Sequence, residues 1–320
     1  MSLMTVIRVF VTGLVLASAG TALAQSFPVK PIRIVTYPPG GGTDFASRLI
    51  AQGLTAGSGW QVVVDNRPGG VIQGELLAAA PADGYTLLLN GSSLWLAPFM
   101  QDNVPYDPVK DFAPITLAAI SPNILVAHPL LPVKSVRELI ALAKARPADL
   151  NYGSGPTGTP NHLAGELLKV MAGINIVRVN YKGIGPALTA LIAGEVQLSL
   201  GNPGAVAAFI KARRLKALAV TSAEPSKLFP ELLTVAAAGL HGFEVVSIHG
   251  IFAPAKTPAA IVSRLNQEIV KTLNHPEVKE KFSVAGTEAV GSSPEQLAAK
   301  LKSEMATLGK IIRDSSIRGN

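Results

Sequence analysis

Pro31-Ile32-Arg33-Ile34-Val35-Thr36-Tyr37, followed by Pro38-Pro39-Gly40-Gly41-Gly42-Thr43-Asp44, is the stretch on which the fold turns. Its first half is a β-branched apolar run of strand length. From Thr43 onward, Phe45, Leu49, Ile50 and Leu54 recur on one helical face. Three glycines join the two, so the expected unit is a strand, a turn that lets backbone approach a bound group, and a helix. The pattern repeats outward. Strands are expected at Val62–Val64, Thr86–Leu89, Leu150–Tyr152, Ile176–Val179, Val196–Leu200, Leu215–Thr221 and Glu244–Phe252. Helices fall between them, one opened by the capping box Ser135-Val136-Arg137-Glu138. The C-terminal part is expected to be helical, with Ile261, Leu265, Ile269 and Leu273 at four-residue spacing and a last helix capped at Ser293-Pro294-Glu295-Gln296. Such alternation implies an α/β architecture with mostly parallel sheets. Ile115 to Ala127 is a long apolar run interrupted by Ser121-Pro122-Asn123. It is placed to carry the chain from one lobe to another, with Glu244 to Phe252 as the return crossing.

The N-terminus has a different character. Arg8 precedes an apolar stretch from Val9 to Gly20, then Ala22-Leu23-Ala24. Charged, apolar and small-residue zones in that order are the layout of a cleavable export signal over residues 1–24, too short for a comfortable membrane span. Of the 320 residues, 48% are hydrophobic and 15% charged, so a large core is available and disorder is not expected. Cysteine is absent, which excludes disulfides, a thiol nucleophile, thiolate metal sites and a lipid-modified cysteine anchor. The formal charge is +7. Its one dense basic group, Lys211, Arg213, Arg214 and Lys216, surrounds an expected helix end, where cations oppose the macrodipole. With aromatics at 5% there is no stacking platform for nucleic acid, and a small anion fits the charge better.

A small or polar residue repeatedly precedes a proline suited to the first helical position: Thr159-Pro160, Gly185-Pro186, Asn202-Pro203, Thr257-Pro258 and Ser293-Pro294. The first three follow expected strands, where ligands of open α/β sheets bind and helix N-termini offer free N–H groups. Gly40-Gly41-Gly42-Thr43 lacks the lysine ending of a nucleotide P-loop. Thr43 suits either a cap or a ligand contact, and Asp44 suits the dipole of the first turn. Gly153-Ser154-Gly155-Pro156-Thr157-Gly158 matches a dinucleotide fingerprint, but the next strand ends at Arg178-Val179-Asn180-Tyr181 with no acid for a ribose. No hydrolase elbow or zinc motif is present, and the five histidines are far apart. His162, near the start of the helix after Thr159, suits a core, capping or ligand role.

Several blocks then carry a resemblance. They are Phe27–Val35, Tyr37–Asp44, Val62-Val63-Val64-Asp65-Asn66-Arg67-Pro68-Gly69, Pro81–Leu88, Pro105–Pro114, His162–Leu167, Tyr181-Lys182-Gly183 and Leu218–Ser222. Across nearly the whole chain beyond the export signal, this resembles the Bug family of extracytoplasmic solute receptors, the binding components of tripartite tricarboxylate transporters. The resemblance implies a two-lobed periplasmic-binding-protein fold of type II kind with a ligand cleft between the lobes. Residues 25–126 with 250–320 would form the first lobe and 127–249 the second. It implies a periplasmic monomer that closes on a small mono- or dicarboxylate, meets the membrane components transiently, and has no cofactor, metal or catalysis. The implied ligand contacts are Tyr37, Pro39, Gly40, Gly41, Thr43, Asp44, Ser92 and Ser93 from the first lobe. From the second they are Ser154, Thr157, Thr159, His162, Tyr181, Gly201 and Asn202. Many members carry aspartate where Gly201 stands, so an amino-acid ligand is disfavoured. Trp95 is expected to line the cleft. The alternatives are an exported hydrolase-class enzyme on the same fold and a receptor that reports to a sensor.

Overall fold

The computed structural model describes residues 27–39, 42–68, 71–155, 157–226 and 229–314. The export signal expected over 1–24, and Gly40 and Gly41, lie outside the described residues. The first part of the chain runs β1 (Ile32–Thr36), α1 (Gly42–Ser58), β2 (Val62–Asn66), α2 (Ile72–Ala78), β3 (Thr86–Asn90), α3 (Ser93–Met100) and β4 (Phe112–Pro122). Next come β5 (Ile124–Ala127), α4 (Val136–Ala145), β6 (Asn151–Ser154), α5 (Pro160–Ala172), β7 (Val177–Asn180), α6 (Ile184–Ala193), β8 (Leu198–Gly201), α7 (Pro203–Lys211) and β9 (Lys216–Val220). The chain ends with β10 (Val246–Pro254), α8 (Ala259–Asn274), α9 (Pro276–Val284), β11 (Glu288–Ala289) and α10 (Pro294–Asp314).

Two mixed sheets result. The first has the order β11-β4-β10-β3-β1-β2 and the second β7-β6-β8-β5-β9. In each, three strands run parallel: β1 between β2 and β3, and β6 between β7 and β8. The remaining pairs are antiparallel. The expectation of mostly parallel sheets is therefore corrected. β5 and β10 arrive from the other sheet and run against the strands on either side of them, β8 and β9 for β5 and β3 and β4 for β10.

The sheets exchange chain at two places. β4 belongs to the first sheet and ends at Pro122, while β5 belongs to the second and starts at Ile124. The return lies between Val220 and Val246. The strands thus change sheet at Asn123 and again somewhere between Val220 and Val246. The two crossings are tied together. Asn123 N–H donates to Thr221 Oγ1 at 2.8 Å, and Thr221 N–H donates to the Asn123 carbonyl at 2.9 Å. The Thr221 hydroxyl donates to the Val245 carbonyl at 2.6 Å.

Side-chain caps hold several helix starts among the described residues. Ser135 Oγ accepts from Glu138 N–H, and Asn202 Oδ1 accepts from Ala205 N–H. Ser293 and Gln296 bond reciprocally, backbone to side chain, at the start of α10. Leu49, Ile50 and Leu54 of α1 bury against Ile32 and Ile34 of β1, as the periodicity required. α10 packs on α3, β4 and α5, so one helix supports walls from both halves. Among the described residues no helix is long and apolar enough to cross a membrane. Nor does any group of three or more histidines and acids there suit a metal.

Candidate functional site

A cleft of about 1040 Å³ opens between the sheets. Four helices begin at its edge. Gly42 and Thr43 open α1, Ser92 and Ser93 open α3, Thr159 and Pro160 open α5, and Gly183 precedes α6. Each N-terminus carries a positive dipole end and backbone N–H groups without helical partners. Among the described lining residues there is no aspartate or glutamate, and the cations are limited to Lys182 and the ionisable His249. His249 does not supply charge, because burial pulls its pKa down to about 4. Its Nδ1 is buried without a hydrogen-bond partner, and Gly42 admits its ring closely: a β-carbon there would meet Cε1 at 3.0 Å.

On the first wall, Tyr37 Oη and Ser93 Oγ share a hydrogen bond of 2.6 Å, and Ser93 Oγ donates to Asn90 Oδ1 at 3.3 Å. Burial raises the Tyr37 phenol pKa, with the Ser93 and Asn90 hydrogen bonds opposing it, so the group stays protonated near neutrality. Pro39 and Thr43 line the cleft. Asp44 does not: its buried carboxylate is held by Arg48 at 3.0 Å and accepts from Asn66 Nδ2 at 2.8 Å. It braces the turn rather than facing a ligand.

On the second wall, Thr157 and Thr159 line the cleft, with Gly158 between them. Ser154 and His162 do not. Arg178 binds the whole turn: Nε donates to Ser154 Oγ at 2.8 Å and Nη1 to Thr157 Oγ1 at 3.2 Å. Its Nη2 donates to the Gly155 carbonyl at 2.9 Å and to Asn180 Oδ1 at 3.1 Å. His162 Nδ1 accepts the Gly158 N–H at 3.0 Å. Burial, reinforced by Arg178, lowers the His162 pKa to about 4, so it is a neutral acceptor that holds the turn. Gly158 needs to be glycine. Its φ is +82°, and a β-carbon there would lie 2.6 Å from Met100 Sδ on the opposite wall.

Three further expectations are corrected. Tyr181 lies behind the lining, its ring against Gly153, and Lys182 takes the cleft position. Gly201 and Asn202 are also outside the lining. Gly201 is buried against Val206, and Asn202 caps α7. Trp95 is fully buried, with Nε1 donating to Glu304 at 2.9 Å. Ser247, Ile248 and His249, Met100 and Gln101, and Asn180, Lys182 and Gly183 line the cleft without having been expected to. Lys182-Gly183 sat inside a recognised block, and alternation after β7 was the one signal that would have separated Tyr181 from Lys182. Nothing local pointed to Ser247 through His249.

The tripartite tricarboxylate transporter family receptor model matches residues 46–317. The protein BugT of Bordetella pertussis is 35% identical over 316 residues, spanning 96% of this chain and 97% of BugT. Among solved structures, R. palustris Rpa4515 with adipate has a TM-score of 0.78 at 34% identity, covering 92% of this chain and 100% of that one. MatC from Rhodopseudomonas palustris with bound malate has a TM-score of 0.74 at 26% identity, covering 89% and 100%.

Proposed function

Since this chain belongs to the tripartite tricarboxylate transporter receptor family, we propose that it binds a small organic mono- or dicarboxylate in the cleft, in the periplasm. It would hand the acid to the membrane components of the uptake system. The observation that carries the reading is the charge pattern of the lining: four helix N-termini and one lysine, with no carboxylate among the described lining residues. An anion there meets partial positive charge from both walls and no repulsion. The adipate and malate in the two R. palustris neighbours support the same ligand class.

The lobes we propose follow the sheets, meeting at the crossings laced by Thr221. Hinge closure there would bury the acid among charge-assisted hydrogen bonds. Micromolar affinity needs about 8 kcal/mol, within reach of several such bonds plus desolvation. We propose a receptor rather than a hydrolase, because Ser154 is bonded to Arg178 and the Gly155 carbonyl while His162 serves Gly158. Neither is left to act as nucleophile or base.

Thermal-shift screening tests this with adipate, malate, their diamides, sugars and amino acids. Stabilisation by acids is expected, rising to about 2.7 kcal/mol at 100 times the dissociation constant, with none from the diamides. Stabilisation by sugars or cations with none from any acid would sink the reading. Lys182→Met should weaken the preferred acid by about fivefold, as loss of one solvent-exposed charge contact of roughly 1 kcal/mol implies.

A further inference from the structure

We infer that Glu304, buried behind the cleft on α10, sets whether Ser92 meets the ligand as a hydrogen-bond donor or as an acceptor. The inference rests on the reading that the cleft holds a carboxylate.

Ser92 is placed to cap α3 but does not. Its side chain makes no cap bond and turns instead to Glu304, with Oγ 2.7 Å from Oε2. Trp95, one turn on, donates its indole N–H to the same oxygen at 2.9 Å. An indole can only donate, so it occupies its side of Oε2 whatever the charge on the acid. A serine hydroxyl has one proton. While Glu304 is ionised, that proton is committed to Oε2, and Ser92 shows only lone pairs to the cleft it lines. A carboxylate ligand finds no donor there. When Glu304 takes up a proton, its own O–H donates to Ser92 Oγ, and the serine proton is released toward the cleft. No other atom need move.

The surroundings favour a titration in the working range. Glu304 is 7% exposed and accepts only from neutral donors. On its own helix, Lys300 acts to lower its pKa, but that ammonium is paired with Glu244 at 2.7 Å, and Glu244 acts to raise it. Arg313, also on α10, lies over the Phe99 ring of α3. α5 brings His162, held neutral, and the mutually paired Glu166 and Lys169. Desolvation is the largest influence and carries the carboxyl from 4.5 to about 7. His249 and His162, both at about 4, stay neutral above pH 6.

The test uses adipate titrated calorimetrically into the mature protein between about pH 6 and pH 8. Wild type should lose about tenfold in affinity over that range and take up close to one proton per adipate at the upper end, as linkage through a group near 7 requires. In Glu304→Gln the indole, which can only donate, keeps the amide oxygen at the Oε2 position, where it also accepts from Ser92 at every pH, as the ionised acid does. That variant should hold the high-pH affinity throughout. Ser92→Ala should bind weakly without pH dependence. A flat wild-type profile, or an unchanged slope in Glu304→Gln, overturns the inference.

The indole N–H resonance of Trp95 provides a ligand-free readout, with Trp60 as internal reference. It should titrate near pH 7 in wild type and be still in Glu304→Gln, and absence of that titration also overturns the inference. If Trp95 titrates but no acid binds at any pH, the carboxylate reading fails by itself, and the donor role of Ser92 falls with it.

Discussion

On the second wall of the cleft, the turn after β6 hangs on one cation. Arg178 reaches Ser154, Gly155, Thr157 and Asn180, and His162 holds the next backbone N–H. On the first wall, the turn after β1 is held by smaller pieces. Asn66 donates to the Tyr37 carbonyl and to Asp44, Arg48 closes on Asp44, and Tyr37 bonds Ser93. The buried acids differ in the same way. Asp44 has Arg48 and Glu166 has Lys169, whereas Glu304, behind the first wall, has only a hydroxyl and an indole. Thr36 Oγ1 on β1, Ser47 Oγ on α1 and His249 Nδ1 on β10 are buried without partners, as is Asn123 Nδ2 at the crossing. The difference teaches that the second wall is a fixed frame, while polar and protonic adjustment is concentrated in the first.

Arg178→Ala tests that contrast most severely. It strands four acceptors at once and should cost about 4 kcal/mol in urea unfolding, each bond to a charged group being worth roughly 1.5–3 before water re-enters the half-exposed site. Arg178→Lys should recover less than half, because an ammonium cannot span the fork. A loss below about 1 kcal/mol would mean that the second turn does not depend on its cation.

Glu304→Gln should act in the opposite direction. Because the folded pKa is raised above 4.5, the stability tied to the protonated acid is complete below pH 4.5 and is lost as pH climbs through about 7. Thermal unfolding of the variant should lack that slope. Above pH 8 it should be the more stable protein by up to about 3 kcal/mol. Equal slopes in both proteins would remove the distinction between the buried acids.

Gly158→Ala probes where the walls meet. Positive φ and the crowding of Met100 should together cost about 2 kcal/mol, of which Met100→Ala restores the crowding share but not the backbone share. Full restoration would place all the strain across the cleft. Tyr37→Phe should be the mildest, removing one hydrogen bond and about 1 kcal/mol, seen as a small shift in denaturation midpoint.

The strand–turn–helix starts were legible because each is written within about a dozen residues. Tyr37, Thr43, Ser93, Thr157 and Thr159, which the family resemblance implied, line the cleft. Ser154, His162 and Asp44 were legible as turn residues, but what they face was not. Arg178, 24 residues after Ser154, and Asn66, 22 after Asp44, absorb their polar atoms. Lys182 and His249 reach the cleft through strand direction and sheet order, which composition and periodicity do not carry. Trp95 was misjudged because its partner, Glu304, lies 209 residues away.

The sequence alone therefore determined the local grammar. It set an α/β chain with glycine- and hydroxyl-rich helix starts, an overall positive charge, no cysteine and two crossing strands. These depend on residue type and short-range backbone preference. Tertiary structure alone decided which turns converge, that Arg178 and His162 lock one wall, and that an acid from the last helix sits behind Ser92. Burial and long-range hydrogen bonding choose each polar side chain's partner, and both exist only once the chain has closed on itself.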